Sequence, residues 1–149
     1  MTTQSFTTTF SLDATPEAVF DAITNVRGWW SEEIEGRTDT LGAVFDFHFQ
    51  DLHRSRHEIT ELVRGERVAW RTVDARIGFV RDKTEWNGTT VEFDIARRGD
   101  RTSLRFTHVG LVPAIECYDE CARAWTFHLG SLRDLITSGK GRPNRRGER

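Results

Sequence analysis

Between residues 43 and 109 the apolar side chains recur at every second position, and after Pro113 they recur at every third or fourth. No other feature of the chain restricts its fold as much. Ala43, Phe45, Phe47 and Phe49 alternate with Val44, Asp46, His48 and Gln50, and Val68, Trp70 and Thr72 alternate with Ala69, Arg71 and Val73. Val91, Phe93 and Ile95 alternate with Glu92, Asp94 and Ala96, and Leu104, Phe106 and His108 alternate with Ser103, Arg105 and Thr107. Ile59 and Val63 mark one side of a further strand. Arg64-Gly65-Glu66-Arg67, Asn87-Gly88 and Arg98-Gly99-Asp100 supply the turns. Strands of this length joined by such turns predict an antiparallel meander with one apolar face.

The helical period runs from about Pro113 to Ile136 through Ile115, Tyr118, Ala122, Trp125, Leu129 and Leu132, a single apolar stripe that Ser138-Gly139 ends. Before the meander, residues 4–12 read as a strand, and Thr15-Pro16-Glu17 reads as a helix start with Val19, Phe20 and Ile23 on its buried side. The order is strand, short helix, several antiparallel strands and a long helix. A sheet with one apolar face needs a cover, and the long helix has the stripe to provide it. A curved sheet around one helix leaves a space between them, which is where a ligand would sit.

The chain has 149 residues, enough for one domain with a sizeable core. A formal net charge of -2 gives no reason to expect nucleic acid or an anionic membrane as partner. No stretch approaches the roughly 18 apolar residues of a membrane helix, and residues 1–7 lack the basic start and apolar run of a signal peptide. Two cysteines without such a signal point to free thiols and the cytoplasm. Residues 140–149 are basic and lack apolar side chains, so they read as a flexible tail beyond a single domain of residues 1–139.

Several segments carry a resemblance: Thr-Pro-Glu-Ala-Val-Phe-Asp-Ala-Ile-Thr (15–24), Trp29-Trp30, Glu85-Trp86-Asn-Gly-Thr-Thr-Val-Glu-Phe (85–93), Phe-Thr-His-Val-Gly-Leu-Val-Pro (106–113), Glu-Cys-Tyr-Asp-Glu-Cys (116–121), Trp125 and Gly-Lys-Gly-Arg-Pro-Asn (139–144). With this order of elements the chain resembles the START-like superfamily, also called SRPBCC, and within it the branch related to activators of the heat shock protein 90 ATPase. The resemblance implies an α+β helix-grip fold, a curved antiparallel sheet wrapped around a long C-terminal helix, with one or two short helices after the first strand. It leaves function open among lipid carriers, receptors, aromatase/cyclases and co-chaperone domains.

Trp29 and Trp30 are adjacent, so their rings point opposite ways. One packs under the first helix, and the resemblance makes Trp30 the ring that faces a cavity; ordinary packing of both is the alternative. Phe45, Phe47, Trp70, Trp86, Phe93, Phe106, Tyr118 and Trp125 are the other aromatic candidates for a cavity wall. His108 shares the inner parity of Leu104 and Phe106, where it would orient a ligand, move a proton, or be a satisfied core histidine. Glu116 and Tyr118 are its candidate partners.

Cys117 and Cys121 share a helix face, and Cys121 is a candidate for the cavity wall. His128 lies near the same azimuth, but about 10 Å further along the axis, too far to share an ion. No metal site is expected, and no cofactor, since phosphate loop, nucleotide fingerprint and nucleophile elbow are all missing from the sequence. His53-Arg-Ser-Arg-His57 reads as a solvated edge.

The expected function is non-catalytic binding of a small hydrophobic or aromatic molecule. The alternatives are an aromatase/cyclase-like reaction using His108 in the same cavity and co-chaperone-type protein interaction. An open sheet edge permits a homodimer.

Overall fold

In a computed structural model describing residues 5–49, 53–78 and 80–144, the alternating stretches become one six-stranded antiparallel sheet. Its strands are β1 (Phe6–Leu12), β2 (Val44–Phe49), β3 (His53–Val63), β4 (Arg67–Ile77), β5 (Thr90–Arg98) and β6 (Arg101–Val109). The order across the sheet is β1-β6-β5-β4-β3-β2, so the first strand closes against the last and β2 forms the far edge. Helix α1 (Pro16–Thr24) and a 3-10 turn (Val26–Gly28) follow β1, and helix α2 (Tyr118–Ser138) follows β6. This is the helix-grip arrangement. Gln4, Gln50 and residues 145–149 of the segments read above lie outside the described residues.

Helix α1 starts where its sequence says it should. Thr15 Oγ1 accepts the Ala18 N–H at 3.1 Å, Pro16 occupies the first turn, and Val19, Phe20 and Ile23 turn inward. At its end Trp29 reaches back, and its indole N–H donates to the Ile23 carbonyl at 3.1 Å, so this ring is fully buried under the helix.

Three local readings change. Val63 is exposed although it was paired with buried Ile59, because a β-bulge between Ile59 and Glu61 shifts the parity of β3. Helix α2 begins at Tyr118 rather than soon after Pro113. Cys117 offers no capping side chain there; instead the Glu85 carboxylate accepts the backbone N–H groups of Glu116 (2.8 Å) and Cys117 (3.1 Å). The segment expected to be a tail is partly structured. Gly139 caps α2 with a φ of 83°, and the chain then folds back. Asn144 donates to the Trp30 carbonyl at 3.0 Å and accepts from Glu32 N–H at 2.8 Å. Arg142 pairs with Asp134 at 2.9 Å and lies over the Phe127 ring.

Candidate functional site

An aromatic cleft of about 750 Å³ opens between helix α2 and the β2–β3 end of the sheet. Strand β2 contributes Phe47 and Phe49, β3 contributes His53, and the β4–β5 connection contributes Trp86. Trp30 enters from the segment after α1, and Asn144 from the folded-back strap. Helix α2 lines the other side with Cys121, Trp125 and His128, whose helical spacing puts them on one face, and with the exposed Glu120, Arg123, Ala124 and Phe127.

The walls are stacked rings. Trp30 lies on Phe47 with centroids 4.2 Å apart and planes 13° from parallel, and Trp86 stacks on Trp125 at 5.9 Å and 9°. His53 meets Trp86 edge-on at 4.4 Å. A second depression of about 400 Å³ holds mainly charged side chains that pair with each other, such as Arg56 with Asp46 at 2.8 Å.

Of the candidates read from the sequence, the structure brings Trp30, Phe47, Trp86, Cys121 and Trp125 together here. Phe45, Trp70, Phe93 and Phe106 do not reach the cleft. They form a close-packed layer beneath it, with Phe45–Trp70 at 5.0 Å and Phe93–Phe106 at 5.2 Å. Glu116 points elsewhere: its carboxylate accepts the Arg81 N–H at 3.1 Å. Tyr118 packs half-buried against the core instead of lining the cleft.

His108 is the principal correction. It sits behind the cleft wall, and both its nitrogens are occupied. Trp125 donates its indole N–H to Nδ1 at 3.0 Å, so the ring proton is on Nε2 and is given to Thr89 Oγ1 at 2.8 Å. Thr89 in turn donates to the Trp86 carbonyl at 2.6 Å. Burial, with a contribution from His53, pushes the His108 pKa down to about 3. It is the satisfied core histidine, fully buried and neutral.

Phe49, His53, Phe127 and His128, with Glu120, Arg123, Ala124 and Asn144, are the cleft residues that the sequence reading does not include. For Phe49 the signal was the alternation with Phe45 and Phe47; for His128 it was the shared azimuth with Cys121. His53 and His57 were assigned to a solvated edge, but β3 lies between β2 and β4. Arg54 and Arg56 point out, while His53, Ser55 and His57 point in, and His57 is fully buried.

Burial, then the neighbouring His128, lowers the His53 pKa to about 3, and burial lowers that of His128 to about 4. The hydrogen bond that holds the Cys121 S–H against Cys117, then burial, push the Cys121 thiol pKa far up and keep it protonated. No cluster of metal-binding side chains occurs among the described residues.

Residues 13–137 match the model of the family described as Activator of Hsp90 ATPase homolog 1-like protein. The chain belongs to this family. Among solved structures of the same fold, the Aha1 dimer from Colwellia psychrerythraea is 25% identical over 95% of this chain and 100% of that one, with a TM-score of 0.74. CalU16 from Micromonospora echinospora is 19% identical over 91% of this chain and 75% of its own, with a TM-score of 0.66. DynU16, a putative protein in the dynemicin biosynthetic locus, is 18% identical; the match covers 96% of this chain but 51% of DynU16, with a TM-score of 0.71. No curated protein matches the sequence. No helix among the described residues is long and apolar enough to cross a membrane.

Proposed function

We propose that this family member is a cytoplasmic binding protein for a small planar aromatic molecule, held in the cleft between α2 and the sheet. One observation carries the reading: the cleft is walled by stacked rings, Trp30 on Phe47 and Trp86 on Trp125, within a volume suited to several fused rings. Exposed Phe127 at its edge extends the apolar surface toward solvent. Catalysis through His108 is disfavoured, because neither of its nitrogens is free and its ring stays neutral. The dimeric Colwellia structure supports a homodimer for this chain as well, which light scattering would test.

The test is native mass spectrometry of freshly purified protein, followed by organic extraction and by titration with polycyclic aromatics. Three of the five tryptophans line the cleft, so intrinsic fluorescence reports occupancy directly. Saturable quenching with one site per chain supports the reading. A clean unliganded mass and no quenching by any aromatic probe would reject it.

A further inference from the structure

A line of buried polar side chains runs from the core to the cleft along β3. Thr72 Oγ1 lies 3.1 Å from His57 Nδ1, His57 Nε2 lies 2.8 Å from Ser55 Oγ, and Ser55 Oγ lies 3.3 Å from His53 Nε2. Thr72, His57 and Ser55 are sealed from solvent, whereas His53 lines the cleft. Burial lowers the pKa of His57 well below its ordinary value and that of His53 to about 3, so each ring carries one proton at neutral pH.

That restriction gives the line a direction. If the Thr72 hydroxyl donates to His57 Nδ1, the His57 proton is on Nε2 and goes to Ser55. Ser55 then donates to His53 Nε2, and the buried donors of Thr72, His57 and Ser55 are all used. In the opposite direction the buried Thr72 proton would have no acceptor, since its oxygen has no other hydrogen-bond partner among the described residues. The favoured direction leaves the His53 proton on Nδ1, which has no partner among the described residues.

Resting on the aromatic-ligand reading above, we infer that the cleft selects aromatic molecules bearing a carbonyl oxygen, and that His53 Nδ1–H is the donor that recognises it. Ser55, His57 and Thr72 are positioning residues that hold His53 in the donor form. Because His53 and His128 are both neutral, the cleft offers them as hydrogen-bonding groups and not as cations that would select a carboxylate.

The test pairs two probes of nearly equal shape, fluorenone and its parent hydrocarbon fluorene, titrated by tryptophan quenching. Fluorenone should bind roughly tenfold more tightly, the factor a single net hydrogen bond supplies. In His53→Phe, which keeps an aromatic wall but loses the donor, the ratio should fall to about one. Equal affinities in the native protein would overturn the inference and leave the aromatic cleft standing. Failure of both probes would overturn the inference, and the cleft reading would fall with it only if no other aromatic probe quenched and the mass were clean.

Nitrogen-15 imidazole spectra of the native protein give an independent readout, with His53 assigned by its disappearance in His53→Phe. A proton on Nδ1 is expected, with loss of that single tautomer in Ser55→Ala. A proton on Nε2 in the native protein would overturn the inference.

Discussion

Trp125 and His108 share a hydrogen bond whose donor helps to form the cleft wall and whose acceptor belongs to the core. Trp125→Phe keeps an aromatic ring but leaves the buried His108 Nδ1 without its donor. An orphaned buried polar group costs about 1–3 kcal/mol. The urea midpoint should fall accordingly with the m-value unchanged.

Acid should destabilise the fold through its buried histidines. His53, His57, His108 and His128 all have folded pKa values below the ordinary 6.5, chiefly through burial. A group with a depressed folded pKa of this kind is neutral in the native state, while the unfolded chain takes up the proton. Its contribution is therefore complete above about pH 6.5 and is lost as pH falls toward 4 and 3, by roughly 1.4 kcal/mol per pH unit for each proton taken up. Urea unfolding at a series of pH values should show stability declining between pH 6 and 5, and less steeply in His128→Phe. A flat profile over that interval would contradict the assignment.

Phe127 separates binding from folding. It is 47% exposed, so Phe127→Ser should change stability by no more than about 0.5 kcal/mol. Aromatic probes should nevertheless bind several-fold more weakly, since the ring forms part of the cleft edge. Chemical denaturation and fluorescence titration of the same variant check both halves.

Glu85 caps a helix from which it is distant in sequence. Glu85→Ala should cost about 0.5–2 kcal/mol, as loss of an N-cap does. Because Trp86 follows it, the tryptophan emission should shift as well. Glu85→Gln, which retains an acceptor oxygen, should lose less.

Gly141 permits the strap to dock. A Cβ there would stand 2.3 Å from the Gly28 carbonyl oxygen. Gly141→Ala should lift residues 141–144, and hydrogen exchange at the Glu32 and Asn144 amides, which are bonded across that junction, should accelerate.

The fold was legible because apolar alternation and a helical stripe are area-driven patterns: Phe45, Trp70, Phe93 and Phe106 all face inward as their parity requires. The cleft was less legible. Parity identifies the inner face but not the boundary between packed core and open wall, so Phe45 and Phe47 looked equivalent. His53, Ser55 and His57 alternate as regularly as any apolar strand, yet their polarity made their face look solvated. Which side of such a strand is buried depends on its neighbours in the sheet, and that information is non-local. The role of Glu85 was hidden for the same reason, since it acts on a helix about thirty residues later.

The cleft draws one wall from residue 30 and another from residue 144. Its surfaces meet only when helix α2 and the strap have docked on a sheet whose own closure joins β1 to β6. A ligand bound there can make its contacts only once those elements are in place. It should leave the rate of folding nearly untouched and slow unfolding instead. Occupancy would therefore govern how long each folded molecule survives, not how quickly new ones form.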